Sequence, residues 1–513
     1  MADIDQKTVD KLEHNIARNP GNRSAYEQLV HYFNQHKQWR RAVECYQRYL
    51  TLQPKDPEGH FNLAYQLKLA QDYEQSIEHY LQAYRLGISQ PEEVFLNVAL
   101  IYSDFLRDNA SARKYLEKSL NLNSEYVSAL YNLANLEEDL GNRQQANTLF
   151  KKILAISPNA IDCHSRIVQL RDYHNDNDSY DERDEHISML KKFCLAAPNR
   201  NTIQSHISAR FALGKAFNDL QQFEQAWDWY QQANTLNRYI LPPYESEKVE
   251  SAFSQIKQHF NPEYFEQQSL ANPQQPIFIC GMFRSGSTLV EQLLAGHSSI
   301  TAGGEREFLP RQIKGLMPNF PFGLEGVDAK QLQSLSEAYL QDLQDAFPDA
   351  SLVTDKRPDN FVYVGLIMAM FPNAKVIFTR RHPLDNCLSN YFLQLGPGYN
   401  YAADIQHCLH YYQQQQALIE HWCTLFPDNV YVFDYEQLIE SPVTEVTDLL
   451  EFLGLKFEPS CLDFHTLKNT VKTASVWQVR KPLYRSSSGR WKNYQPWLNE
   501  VLGHGELARL AHR

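Results

Sequence analysis

In the first half of the chain, apolar and small residues recur at i, i+3, i+4 and i+7. HFNLAYQLKLAQDY (60–73), FLNVALIYSDFLRDN (95–109) and LYNLANLEEDLGN (130–142) each carry the pattern and end in a polar turn, which predicts amphipathic helices. Between them lies a second helical pattern that repeats itself: AVECYQRYLTLQP (42–54), SIEHYLQAYRLG (76–87), ARKYLEKSLNLN (112–123) and ANTLFKKILAISP (146–158). Their alignment places Tyr46, Tyr80, Tyr115 and Phe150 at steps of 34, 35 and 35 residues. A fixed step of this size means stacked helix pairs, with the aromatic stripe as their core.

The period is that of tetratricopeptide repeats. MLKKFCLAAP (189–198) and AWDWYQQANTLN (226–237) extend it at wider spacing, around the polar insert HNDNDSYDERDEH (174–186), which reads as a solvated loop. Residues 1–240 are therefore expected to form about six helix pairs, an α/α superhelix suited to an extended partner. A helical connector and an Asn/Pro/Gln-rich boundary fill 241–273. From 274 to 513, strand-like runs (IFICG, SLVTD, AKVIFT, NVYVFDY) alternate with helical ones, predicting an α/β domain with a mainly parallel sheet. Its active groups belong at the carboxyl ends of the strands.

Composition narrows the function. A chain of 513 residues exceeds one ordinary core, and a formal charge of −12 argues against general nucleic-acid binding, which rests on Lys and Arg neutralising phosphates. Eight cysteines are scattered without CxxC or paired-His spacing, so neither a metal site nor a disulfide framework is expected. The N-terminus MADIDQKTVDKLEHN lacks an apolar signal core, and no run approaches a membrane span. The expected location is cytoplasmic.

Chemistry concentrates in PIFICGMFRSGSTL (276–289), where an apolar strand feeds a loop bounded by Gly281 and Gly286 and then a helix. The spacing is that of a nucleotide-binding phosphate loop, yet its lysine is missing and Arg284 lies inside the loop instead. A nucleoside triphosphatase or kinase needs that lysine on the β/γ-phosphates. Backbone N–H groups, a helix N-terminus and one guanidinium can hold a smaller anion. Such a turn also joins strands to helices for structural reasons alone, so the rest of the chain must decide.

Five segments in order do so: FRSGSTL (283–289), GGERE (303–307), DKRPDN (355–360), TRRHPLDNCLS (379–389) and TASVWQVRKPLYRSSSGRWKN (473–493). Together with the repeats they resemble the tetratricopeptide-containing sulfotransferases. The C-terminal half is similar to the tyrosylprotein sulfotransferases and, more distantly, to the cytosolic ones. That resemblance implies a P-loop-like sulfotransferase domain using 3′-phosphoadenosine 5′-phosphosulfate (PAPS) and no metal. Arg284, with Ser285, Gly286, Ser287 and Thr288, would grip the 5′-phosphosulfate, and Arg381 with Ser389, eight residues on, the 3′-phosphate. The resemblance also carries Tyr435 to the cofactor site, and Ser475, Tyr484 and Arg490 to a segment folding over it. Arg485 and Lys492 fall on cationic positions of the closing segment in cytosolic enzymes, whose Lys–Gly pair is here Ser486–Ser487.

For catalysis, Glu305 lies 21 residues after Arg284, the offset of the catalytic glutamate in tyrosylprotein sulfotransferases. It is the candidate base, in preference to His297 at the end of the first helix, although a Glu after two glycines is also commonly a helix-capping or turn charge. Lys356 and Ser475 would stabilise charge on the bridging oxygen. One departure is Leu393, where the tyrosylprotein enzymes carry an arginine on the adenine side. The acceptor stays open between a protein or peptide tyrosine, reached through the repeats, and a small molecule enclosed by 392–403. The alternative from another class is a tetratricopeptide interaction scaffold with a nucleotide-binding but inactive transferase domain.

Overall fold

The computed structural model describes residues 5–171, 183–467, 473, 476–485 and 487–511. The chain divides into two compact units, Met1–Cys163 and His164–Arg513.

In the first unit the predicted helices form hairpins: Arg23–Gln35 with Trp39–Leu52, Pro57–Leu69 with Tyr73–Arg85, Pro91–Leu100 with Asn109–Leu122, and Val127–Asp139 with Arg143–Ile156. Local chemistry sets the helix starts. Asp56, Asp72 and Asp108 accept N–H groups of the first turns they precede, and Pro57 and Pro91 occupy positions where a missing N–H costs nothing. Each hairpin turns through one left-handed residue, Lys37, Gln71, Arg107 and Gly141, so backbone geometry repeats where side-chain identity does not. Ala42, Ser76, Ala112 and Ala146 are fully buried and let neighbouring helices approach closely. Tyr46, Tyr80 and Phe150 are core, as expected of the aromatic stripe. Tyr115 is half-buried and stacks on Tyr102 at 5.6 Å.

The second unit contains a further hairpin, Ile203–Asp219 with Phe223–Ile240, again turning through a left-handed residue, Gln221. After the helices Ser246–His259 and Pro262–Gln268 comes a five-stranded parallel sheet: β1 (Ile277–Gly281), β2 (Ile300–Ala302), β3 (Leu352–Lys356), β4 (Lys375–Arg380) and β5 (Val430–Asp434), in the order β2-β3-β1-β4-β5. Strand periodicity divides the core in two. Phe278, Cys280, Val376 and Phe378 pack on one face with Tyr339, Phe361 and Trp422, while Ile277, Ile279 and Ile377 pack on the other with Val290, Leu293 and Leu449. The chain leaves β1 toward β2 and leaves β4 toward β5, so the order reverses between β1 and β4. The crevice at their carboxyl ends is where such sheets bind ligands. Among the described residues no helix is long and apolar enough to cross a membrane.

Candidate functional site

The loop after β1 depends on two glycines. Gly281 has φ +152°, and a Cβ there would lie 2.5 Å from Thr379 Oγ1 and 2.6 Å from the Thr379 carbonyl, so a larger residue would force β1 and β4 apart. Gly286 has φ +109° and precedes the helix Ser287–Ala295, which has no side-chain cap. Its first-turn N–H groups are thus available to an anion. Between the glycines, Ser285 Oγ lies 2.6 Å from both the Met282 carbonyl and Thr379 Oγ1. This hydroxyl ties the loop to β4, leaving the backbone of Ser285 as its means of contacting a ligand. Asn386 and Asn390 both donate to the Phe283 carbonyl, at 3.2 and 2.8 Å, and clamp the loop to the helix Pro383–Tyr391.

That clamp brings the two predicted anion segments together. Arg284, left-handed at φ 69°, donates from Nε to Ser389 Oγ at 3.0 Å and from Nη2 to Gln478 Oε1 at 2.6 Å. Arg381 is buried; it donates from Nη2 to the Ser487 carbonyl at 2.5 Å and stands 5.2 Å over the Tyr435 ring, and its Nε has no hydrogen-bond partner among the described residues. Its neighbour Arg380 instead faces outward in an ion pair with Asp434, so of the two adjacent arginines Arg381 serves the crevice. A cleft is lined by Arg284, Gly286, Thr288, Arg381, Tyr435 and Tyr484, with apolar walls from Leu289 and Phe464. Arg284 retains some solvent contact but is densely surrounded by protein. Burial first, then the charges of Arg381 and Arg490, push its pKa down to about 10. Clustered guanidiniums under that strain favour an anion between them.

The candidate catalytic pair stands one strand away. Register pairs Lys356 with Ile279 of β1, placing the lysine at the carboxyl end of β3. It is 1% exposed, and its Nζ donates to Glu305 Oε1 at 2.8 Å. The glycines of GGERE explain how Glu305 arrives there. A Cβ on Gly303 would lie 2.2 Å from the Thr354 carbonyl, while Gly304, at φ +68°, donates to Glu291 Oε1 and accepts from the Lys356 N–H. The turn is thus pressed against β3 and presents Glu305 to Lys356. The helix that follows, Phe308–Leu316, begins after Glu307 without a side-chain cap, which removes the capping alternative for Glu305. Phe283 of the phosphate loop packs on Tyr399 at 5.0 Å. The Tyr399 phenol is pushed up to about 12 by burial and by the negative charges of Asp359 and Glu305.

The other expected residues divide. Ser287 and Thr288 are buried in the first helical turn, and Thr288 Oγ1 donates to Thr473 Oγ1 at 3.3 Å. Arg490 lies over the Phe392 ring at 4.8 Å and is not among the residues that line the cleft. Arg485 and Lys492 are exposed and do not line the cleft, and Ser475 lies outside the described residues. His297 is a structural histidine: buried, with Nε2 at 3.1 Å from the Lys456 carbonyl and Nδ1 accepting from the Ser299 N–H. Sequence reasoning missed Gln478, which meets Arg284, and Asp385, which accepts the N–H groups of Gly489 and Trp491 at 2.6 and 2.8 Å. It also missed the Asn386/Asn390 clamp, whose i, i+4 spacing inside DNCLSN marks one face of a helix.

Residues 276–459 match the sulfotransferase family, and residues 26–91 and 105–161 match the tetratricopeptide repeat. An uncharacterized protein of Aquifex aeolicus is 32% identical over 424 residues, which span 79% of this chain and 52% of that protein. A putative protein-tyrosine sulfotransferase of Caenorhabditis briggsae is 25% identical over 39% of this chain and 72% of its own length. The protein-tyrosine sulfotransferase of Drosophila melanogaster is 23% identical over 43% and 47%. The chain thus spans about half the length of the Aquifex and Drosophila relatives. Among solved structures, the sulfotransferase domain of the Synechococcus PCC 7002 olefin synthase is 21% identical, with a TM-score of 0.35, over 44% of this chain and 90% of that domain. The chain carries a tetratricopeptide-repeat region followed by a sulfotransferase-family domain.

Proposed function

We propose that this chain is a PAPS-dependent sulfotransferase whose acceptor is a hydroxyl, on a protein or peptide tyrosine in the first instance. The observation that carries the reading is the convergence of Arg284, Arg381 and Ser389 on one crevice, together with the ion pair of buried Lys356 and half-buried Glu305. A phosphate loop without its lysine, facing a second guanidinium, suits a ligand with two separated anionic groups better than a triphosphate chelated to Mg²⁺. When bound, PAPS supplies a sulfuryl group on a phosphate leaving group. The loop N–H groups and Arg284 would hold the 5′ end, Arg381 and Ser389 the 3′-phosphate, and Tyr435 and Tyr484 the cleft between.

The protein's part in the transfer is to place charge and move one proton. Glu305 accepts the proton of the acceptor hydroxyl, and Lys356, turning from Glu305 toward the leaving side, stabilises the negative charge that develops there. A tyrosine acceptor is supported by the likeness to protein-tyrosine sulfotransferases and by the repeats, which suit polypeptide binding. Calorimetric titration with adenosine 3′,5′-bisphosphate, against ATP with Mg²⁺, tests the site. Transfer of radiolabelled sulfate to tyrosine peptides and to small phenols tests the acceptor. Preference for ATP with Mg²⁺ would refute the sulfotransferase reading, and bisphosphate binding with no transfer to any acceptor would leave the inactive scaffold.

A further inference from the structure

The C-terminal segment that reaches the cleft is held from two sides. From the sheet side, Asp385 accepts the Gly489 and Trp491 N–H groups, and Arg381 donates to the Ser487 carbonyl. From the other side the holding element is the helical hairpin Ile203–Asp219 and Phe223–Ile240. Tyr494 is fully buried and donates its hydroxyl to Asn218 Oδ1 at 2.8 Å. Tyr230 stacks on Phe392 with centroids 4.0 Å apart, and Phe392 in turn packs on Tyr494 at 4.9 Å. Trp227 packs on both Tyr391 and Trp497, and Asn234 donates to the Tyr391 carbonyl at 2.8 Å. Gly214 allows this density, since a Cβ there would stand 2.7 Å from the Tyr230 ring.

Arg490 sits in the middle of this cluster. Its guanidinium lies over Phe392, and its charge acts on the phenols of Tyr230 and Tyr494, partly offsetting the upward push of burial on both. The same charge acts on Arg284 in the phosphate loop.

We propose that this repeat-type hairpin is a working part of the anion site: Asn218 through Tyr494, and Tyr230 through Phe392, are positioning residues that hold Arg490 three residues beyond the cleft-lining Ser487. The inference rests on the nucleotide-binding reading above. Without the hairpin, the Phe392 ring under Arg490 loses its backing from Tyr230, and a long flexible cation must then be ordered at the expense of ligand affinity.

The test is a double-mutant cycle in the full chain, read by calorimetric affinity for adenosine 3′,5′-bisphosphate. Tyr494→Phe removes one hydroxyl and keeps the ring; it should weaken binding roughly three- to tenfold. Arg490→Met should weaken it by about tenfold or more. In the Arg490→Met background, adding Tyr494→Phe should cost nothing further, because the hydroxyl acts through the arginine. Asn218→Ala should reproduce Tyr494→Phe. Purely structural contacts would lower the melting temperature and leave affinity and coupling untouched. Unchanged affinity in Tyr494→Phe, or losses that simply add in the double variant, overturns the proposal. A parent protein that binds no bisphosphate overturns the nucleotide-binding reading, and the proposal with it.

Discussion

Replacing Arg381 with Met separates binding from folding, because the terms that act on folding nearly cancel and those that act on binding do not. In the ligand-free protein the side chain gives up its 2.5 Å bond to the Ser487 carbonyl, a long 3.4 Å contact with the Arg284 carbonyl and the Tyr435 ring contact. These are worth about 2–3 kcal/mol together. Against that loss, the substitution removes a buried guanidinium whose Nε finds no partner among the described residues and relieves Arg284, the neighbour it repels. Those costs are also about 1–3 kcal/mol, so the terms nearly cancel and the melting temperature should move by only a few degrees. Affinity has no such compensation. Loss of a charge-assisted contact to a phosphate should cost about 1.5–3 kcal/mol, a roughly 10- to 150-fold rise in Kd for adenosine 3′,5′-bisphosphate. Arg380→Met is the control, since the exposed Arg380–Asp434 pair should contribute little to either quantity. Calorimetry with parallel thermal melts reads both. Affinity within twofold of the parent would remove Arg381 from the site, and an affinity loss shared by Arg380→Met would reduce it to bulk electrostatics.

Glu305→Gln keeps an acceptor for Lys356 Nζ and removes the base, so single-turnover transfer should fall by about a hundredfold or more while bisphosphate affinity holds; transfer at the parent rate would place the base elsewhere. Asp355→Asn tests the buried support of β3. Burial raises the Asp355 carboxyl from 3.8 to about 7, despite hydrogen bonds from Asn360 and Tyr339. Its protonated form therefore favours the fold below pH ~4, and that contribution is lost as pH rises to about 7. The asparagine mimics the protonated acid, so the variant should melt higher than the parent at pH 8 and alike only below pH ~4. Equal pH dependence in both proteins would show that Asp355 titrates normally.

Much of the site was legible because its chemistry is local in the chain. A phosphate loop must follow a strand and open a helix, and its two glycines, its missing lysine and Arg284 all fall within PIFICGMFRSGSTL. Arg381 and Ser389 lie eight residues apart on the next strand end and helix. The sheet order, which places the loops after β1 and β4 side by side, turns two separate motifs into one crevice. The parallel sheet was legible too, from apolar runs alternating with helical ones. The supporting contacts were not. Asp385 reaches backbone 104 and 106 residues away, and Arg284 meets Gln478 across 194, with no periodicity or motif to announce either.

Composition and packing also place the joint of the chain differently. The Asn/Pro/Gln-rich stretch near 270 looks like a boundary, and the helical repeat pattern ends near 240. The compact units divide earlier, between Cys163 and His164. The difference arises because one fold element can serve two ends. The hairpin at 203–240 has repeat geometry, down to its left-handed Gln221, yet its aromatic face is covered by Tyr391, Phe392, Tyr494 and Trp497 of the α/β domain. A fragment beginning near 269 would lose Asn218, Trp227 and Tyr230 together. It would expose the ring on which Arg490 rests, so its weakened nucleotide binding would reflect the missing hairpin and would say nothing about acceptor recruitment by the first unit. A cut that isolates recruitment must keep every residue from 203 onward, because the hairpin packs against the segment that reaches the nucleotide cleft.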